Sequence, residues 1–548
     1  MQPLRGHRYA HAHDELDDDD DDDDEATKGL MGGGMGGAAG AAEDFELYTP
    51  DEERRVLRKL DRKLVLFMAG LYMLSFLDRS NIGNARIAGL AEDLQLDSDR
   101  YEWLLTAFYV TYIAFEWMTL MYRIVPPHMY ISACVFSWGL LASLQAVSTS
   151  FSSMVVLRAL LGIAEAAFGP GLPYYLSFFF RREELAFRTG LFISAAPLST
   201  SFASSLAWAI TSVAEQLPGR VAPWRLLFLV EGAPSLFVAV WAWGFVPDGP
   251  GEARWLDGRE REVAVLRLRR ERDVTGLERE KEDAMVAGGG GRRRRRGIDL
   301  REVAKTLRDP KAWLTALMFF LSNVAFSSLP VFLPTIIQSI SPTLSKPTTQ
   351  ALSAPPYLLA FPLVLLTAYL SDRHRRRGPY LIGHALLASL GYALLALSEP
   401  LHLPPWARYL ALFPAAAGFF AAVTLVLAWQ LNNQASVAGR GTGVALLGLV
   451  GQCGPLLGTR LYPEREAPFY ATGMWVCAGA MLGVACLAAG LAWWLGQENA
   501  RAVRDWRAGR ARGEDGGDGD EGAVPLVAAG GEGEEGRSSG GGPFLFML

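Results

Sequence analysis

Apolar blocks of about twenty residues recur along the whole chain, and they decide its fold class before any other feature does. They fall at about 64 to 86, 101 to 122, 129 to 149, 153 to 180, 187 to 212, 223 to 246, 312 to 340, 350 to 371, 380 to 400, 406 to 430, 441 to 461 and 469 to 496. Most are long enough to cross a hydrocarbon core with some tilt, at about 1.5 Å of rise per residue. The 50% hydrophobic content and 15 Trp in 548 residues exceed what a soluble chain of this length usually shows. The spacing therefore predicts an all-α membrane protein with twelve transmembrane helices, solvated by a lipid bilayer.

Basic residues give the orientation, because short cytoplasmic loops carry an excess of Lys and Arg. Arg54, Arg55, Arg58, Lys59, Arg62 and Lys63 precede the first block. Arg123, then Arg181, Arg182 and Arg188, then Arg373, Arg375, Arg376 and Arg377 fall in every second loop. The loops between hold isolated cations such as Arg100, Lys346 and Arg408. Both termini are expected in the cytosol. The acidic N-terminal stretch lacks the apolar core of a cleavable signal, so the first span is expected to act as the insertion signal.

The formal net charge of -6 says little about partners, since the acid is gathered in the tails. Residues 1–50 contain the run Asp17–Asp24 and the Gly/Ala-rich stretch Gly32–Ala42, and residues 499–548 are similar in kind. Neither can bury enough apolar area to fold, so both are expected as disordered cytosolic tails. Cys134, Cys453, Cys477 and Cys486 lie inside apolar blocks with no C-x-x-C pair and read as packing residues. No metal-ligand, phosphate-loop or nucleophile motif appears, which argues against an enzyme, a cofactor, a metal or a nucleic-acid partner.

The blocks divide into two halves of six, residues 51–246 and 311–498, around a long polar segment at 247–310. That segment opens with an amphipathic stretch, Glu252–Arg272, and closes with the pentad Arg292–Arg296. A basic amphipathic helix is expected to lie against anionic headgroups. The halves echo each other: MYRIVPPH after the second span and YLSDRHRRRG after the eighth are both short basic turns. Two parallel six-helix repeats are the plan of a major facilitator transporter, with its substrate site near the midplane between them.

Several motifs then become recognisable. LSFLDRSNIGNARIAGL in the first span, LRALLGIAEAAFGPGLPYYLSFFFRREE in the fourth, WRLLFLVEGAPS, FLPTII, PPY and LYPEREAPFY together resemble the fungal branch of the anion:cation symporter family, the allantoate, nicotinate and pantothenate permease-like proteins of the major facilitator superfamily. The resemblance covers about residues 50 to 500. It implies proton-coupled uptake of a small organic anion by alternating access, in a monomeric carrier of the plasma membrane. The family's Asp-Arg pair falls on Asp78 and Arg79, and its fourth-span glutamate on Glu165. The chain departs from the family pattern at Val125-Pro126-Pro127, at Ser327 and at Pro330.

The charged residues support specific roles on chemistry alone. A charge near the middle of a span costs about 2.5–3.5 kcal/mol on insertion scales and is kept where it faces a cavity or a partner. Adjacent helical residues point about 100° apart, so Asp78 and Arg79 address different walls. Arg79 has a planar fork matched to a carboxylate and keeps its proton, which suits anion recognition. Asp78 and Glu165 can titrate, which suits proton coupling. Should the span instead end at Leu77, the pair would sit among headgroups. Arg158, two turns before Glu165, could modulate it or pair with it; Glu116 and Glu231 read as helix ion pairs. Asn81, Asn323, Ser327, Ser328, Tyr357, Gln430 and Asn432 are the polar candidates for substrate binding, and the resemblance to the superfamily implies a gate latch of Asp372 with Arg373.

The resulting expectation is a secondary transporter for inward movement of a monocarboxylate nutrient or vitamin with protons. An organellar or export carrier, and a transport-inactive nutrient sensor, are the rivals. The orientation is checked first: a tag inserted near Gly290 should resist external protease in intact cells while one near Ser345 is cleaved, and the opposite pattern would reverse every span.

Overall fold

In the computed structural model the chain is described over residues 48–216, 222–268, 300–433, 437–511 and 546–547. The aspartate run, the Gly/Ala-rich stretch, the Arg292–Arg296 pentad and most of the C-terminal tail lie outside those residues. The described part is all-α. Six membrane helices form the first half: α1 (Leu66–Ala85), α2 (Ser98–Phe115), α3 (Pro127–Gln145), α4 (Phe151–Ala166, continued by Phe168–Leu176), α5 (Ala195–Gln216, preceded by Arg182–Ile193) and α6 (Pro223–Phe245). The second half has α7 (Pro310–Ile340), α8 (Lys346–Arg373), α9 (Gly378–Ala396), α10 (Pro405–Asn432), α11 (Val437–Gly451, continued by Gly454–Gly458) and α12 (Ala471–Ala511).

Eight of these helices are long and apolar enough to cross a membrane by themselves, and Thr442–Gly458 is a shorter apolar one. Outer faces present large apolar side chains such as Phe237, Val240 and Trp241, as a chain dissolved in hydrocarbon requires. α7 and α10 are the most enclosed of the eight, whereas α6, α8 and α9 show more surface outward. α1 runs unbroken through Asp78 and Arg79, both buried, so the span does not end at Leu77. It stops beyond Arg86 where Gly89 takes φ 110°, a left-handed value that a side chain would strain.

The two halves repeat one packing plan: α3 lies along α6 and α2 along α4, as α9 lies along α12 and α8 along α10. Small residues make these approaches possible. Gly139 and Gly232 bring α3 and α6 together beside Ser235 and Ser143, and Gly391 and Gly418 do the same for α9 and α10. Between halves, α5 runs along α8 and α1 meets α7, where Gly83 faces the Val331 carbonyl. On the face opposite the basic loops the halves are also joined by polar contacts. Arg86 pairs with Glu464 (2.6 Å), Lys346 with Glu92 (3.2 Å), and the Gln350 amide donates to the Asn84 carbonyl (3.0 Å).

The basic face differs from its sequence reading in two places. The amphipathic stretch does not lie out on headgroups as far as it is described: Leu256, Val263 and Ala264 are buried in the first half's core, and Leu268 is buried as well. Arg267, fully buried, donates to Glu53 (3.1 Å), to the Phe179 carbonyl (3.1 Å) and to Glu184. An arginine placed among apolar residues of an amphipathic stretch is satisfied by protein acids here, so lipid phosphate is not needed. The entry helix Pro50–Leu60, capped by reciprocal bonds between Thr49 and Glu52, joins this layer through Lys59 and Glu260 (2.7 Å). The second difference is that residues 499–511, expected in a disordered tail, continue α12; NARAVRDWRAGRA is rich in good helix formers.

These close contacts give a paired test. A methyl group at Gly162 of α4 would run into the Phe108 carbonyl and the Thr111 hydroxyl of α2, whereas one at Gly70 of α1 meets nothing within 4 Å. Gly162→Ala should destabilise the protein by about 1–3 kcal/mol, as overpacking does. Gly70→Ala should leave the melting temperature in detergent unchanged or slightly raised.

Candidate functional site

Glu165 on α4 is completely buried, and its Oε2 accepts three hydrogen bonds from α1. The donors are Ser75 Oγ (3.0 Å), Arg79 Nε (3.2 Å) and Arg79 Nη2 (2.9 Å). Ser75 and Arg79 are one helical turn apart, so both reach the same carboxylate from a single face of α1. The Arg79 guanidinium lies against two rings of α2, with 5.2 Å to the centre of Phe108 and 4.9 Å to that of Tyr112. Charge, hydrogen bonds and ring faces thus hold the fork from different sides.

Arg158 sits at the other end of the same niche. Its guanidinium is 5.2 Å from the Phe108 ring centre, and its Nη2 donates to the Arg79 carbonyl at 3.5 Å. It makes no ion pair with Glu165, because seven residues separate the two by about 10.5 Å along the helix axis. The expected ion pairs at Glu116 and Glu231 do not form among the described residues either. Both Glu231 oxygens, one Glu116 oxygen, two nitrogens of Arg158, Glu165 Oε1 and both amide atoms of Asn81 are buried without a hydrogen-bond partner among the described residues. Glu116 abuts Gly448 of α11, so that acid reaches the other half of the molecule.

Asp78 addresses a different wall, as its position beside Arg79 predicts. It accepts from Ser235 of α6 at 3.5 Å, and Glu231 lies one turn before Ser235. Asp78 is therefore held by α6, whereas Glu165 of α4 is held from α1 by Ser75 and Arg79.

The candidates of the second half are largely occupied, by their own helix or by neighbouring ones. Asn323 donates to the Gly451 carbonyl of α11 (3.2 Å), and Ser327 to the Asn323 carbonyl (2.8 Å). Ser328 bonds the Ala325 carbonyl (3.3 Å) and lies 3.8 Å from Cys477 Sγ. Gln430 accepts from Thr315 (2.6 Å). Asn432 faces the basic end of α10 and contacts Met547 Sδ at 3.1 Å, outside the midplane group. The Tyr357 hydroxyl is buried and unpartnered, and its ring meets Phe420 edge-on at 6.0 Å. At the latch, Asp372 bonds Arg377 in place of Arg373. Arg373 is exposed at the helix end, while Arg375 at φ 50° turns the chain back and delivers Arg377.

An aromatic seam that sequence reasoning missed joins the halves. Phe76 of α1 meets Phe326 of α7 (5.3 Å) and Phe420 of α10 (6.4 Å), and Phe326 meets Phe420 at 5.4 Å. Phe76 lies three residues before Arg79, so the seam and the buried ion pair adjoin along α1. Phenylalanines inside apolar blocks carry no pattern that marks them; only the packing reveals them.

Comparison with known proteins shows the family. A family model described as Major Facilitator Superfamily matches residues 68–459. A protein named MFS transporter prlL, from Fungal sp. (strain NRRL 50135), is 32% identical over 87% of this chain and 94% of its own length. A high-affinity nicotinic acid transporter of Saccharomyces cerevisiae is 28% identical over 77% of this chain and 74% of its own. Among solved structures, the proton:xylose symporter XylE bound to 6-bromo-6-deoxy-D-glucose has a TM-score of 0.58 at 12% identity, covering 80% of this chain and 96% of that one. That likeness is one of fold.

The ion pair itself can be tested by stability. Replacing Arg79 or Glu165 alone with Met leaves a buried charge without its counter-ion, at a cost of about 3–5 kcal/mol. The double variant Arg79→Met, Glu165→Met should melt closer to the unsubstituted protein than either single variant does. A double variant as unstable as the worse single one would show that pairing is not what holds Arg79.

Proposed function

Because the chain belongs to the Major Facilitator Superfamily, and is a membrane transporter of small molecules rather than an enzyme, we propose that it carries a small organic monocarboxylate with protons by alternating access. The observation that carries this reading is the Glu165 carboxylate held by the Arg79 fork at membrane depth, one turn from the aromatic seam between the halves. A guanidinium that already grips a carboxylate with two N–H groups has the shape and charge to grip a second one presented by a substrate. Arg158, with two unspent nitrogens over the same Phe108 ring, adds cationic character to the niche. The Phe76, Phe326 and Phe420 rings beside it suit an apolar or aromatic body, consistent with the nicotinic acid named for one relative.

In this reading Glu165 is the coupling group and Asp78 a second titratable group on the α6 side. With substrate absent, ionised Glu165 neutralises Arg79. When the substrate carboxylate takes the Arg79 fork, Glu165 accepts a proton, and one carboxylate still faces one guanidinium. Loss of that proton toward the cytosol restores the Glu165–Arg79 pair and displaces the anion. Uptake across the plasma membrane is carried over from the resemblance to the anion:cation symporter branch, with the basic loops taken as cytosolic.

Glu165→Gln mimics the protonated form permanently. In proteoliposomes it should abolish accumulation driven by an imposed proton gradient yet retain substrate-for-substrate exchange, which needs only the loaded states. Arg79→Lys keeps the charge but loses the fork, so affinity should fall by roughly tenfold or more while the protein still reaches the membrane. Nicotinate and related monocarboxylates are the first substrates to assay. Concentrative uptake by Glu165→Gln equal to that of the unsubstituted protein would make Glu165 structural and remove the coupling scheme.

A further inference from the structure

The first turn of α7, the end of α10 and the Glu498–Asn499 turn of α12 form a site in which two residues from the far end of the chain are already seated. Asn499 of α12 holds Phe546 by both backbone groups: the Phe546 N–H donates to Asn499 Oδ1 (2.8 Å) and Asn499 Nδ2 donates to the Phe546 carbonyl (2.8 Å). Asn433, at the end of α10, treats the next residue in the same way. The Met547 N–H donates to Asn433 Oδ1 (2.8 Å), and Asn433 Nδ2 donates to the Met547 carbonyl (3.1 Å). Trp429 Nε1, from a wholly buried indole, donates to that carbonyl as well (2.8 Å).

An asparagine side chain carries the same donor and acceptor as a peptide group, so each of these two reads one residue of backbone as a neighbouring strand would. All four backbone groups of the dipeptide are taken. The side chains are read separately. Lys311 of α7, fixed by Glu498 (2.9 Å), stands 4.4 Å from the centre of the Phe546 ring, which also packs on the main hydrophobic core. Asn432 contacts Met547 Sδ at 3.1 Å. An aromatic residue followed by methionine is what this arrangement fits.

We infer that the first turn of α7, the end of α10 and the Glu498–Asn499 turn of α12 are a peptide-docking site whose occupant is the chain's own Phe546–Met547 segment. The 34 residues between Ala511 and Phe546 tether that occupant to α12. A tether of this kind gives an effective concentration on the order of millimolar, so a modest intrinsic affinity is enough for occupancy. The site ties the end of α10 to α12 at Asn499, beside the Thr315–Gln430 bridge between α7 and α10. It uses none of the groups assigned to substrate or proton, apart from displacing Asn432 from that role.

The test uses the full chain in detergent micelles and a fluorescent peptide with the sequence of residues 543–548. The peptide should bind the double variant Phe546→Ser, Met547→Ser, whose own segment no longer competes. It should bind the unsubstituted chain at least tenfold more weakly, and binding to the double variant should vanish when Asn433→Ala and Asn499→Ala are added. No binding to the double variant, equal binding to the unsubstituted chain, or binding that survives both asparagine changes would overturn the proposal. Hydrogen exchange on the unsubstituted chain gives an independent reading: the Phe546 and Met547 amides should exchange slowly, and equally so on dilution. Unprotected amides would overturn the docking, and protection lost on dilution would assign the occupant to a second copy.

Discussion

A charge in hydrocarbon is tolerated only with a partner, and the Arg79–Glu165 pair is where this chain meets that condition at its core. The first half is arranged around it. α1 must pass close enough to α4 for Ser75 and Arg79 to reach one oxygen of Glu165, and α2 must lie alongside to bring Phe108 and Tyr112 against the guanidinium. Gly162, one turn before Glu165 on α4, lets α2 come that close. Desolvating both ions is costly, and the return comes from three hydrogen bonds and two ring faces in a medium that screens little. The geometry therefore fixes three helices at once.

What could be read from the sequence follows from which constraints are one-dimensional. Bilayer thickness sets the length of each apolar block, so the spans were visible as a spacing, and a charge inside such a block marks itself, as Asp78, Arg79 and Glu165 do. Partner choice is a matter of rotation and distance between helices. Arg158 looked like the neighbour of Glu165 on α4, yet the partner is Arg79 on α1. Asp372 looked paired with the adjacent Arg373, yet a left-handed residue at Arg375 supplies Arg377.

Two other features were hidden for a different reason. The aromatic seam of Phe76, Phe326 and Phe420 uses residues that are ordinary in any membrane helix, so composition gives no contrast. The 258–268 segment has the alternation of a lipid-surface helix, and periodicity states only that one face is apolar. It does not say whether lipid or protein covers that face. Arg267, reaching Glu53 and Glu184, decides for protein.

The halves repeat a packing plan but not a chemistry. The buried charges of the midplane, Asp78, Arg79, Arg158, Glu165 and Glu231, all lie in the first half, while the second half contributes amides, hydroxyls and rings that are mostly bonded within it. On the proposed reading, a carrier divided in this way has one wall that recognises charge and one that supplies shape. On that reading the charged wall must stay close to neutral in every state that crosses the membrane, because moving an unpaired charge is too costly. Glu165 meets that requirement with one group: ionised, it pairs Arg79 when the substrate is away, and protonated, it yields Arg79 to the substrate carboxylate. Coupling of anion to proton then arises from conservation of charge at a single guanidinium, and it needs no contact between proton and substrate.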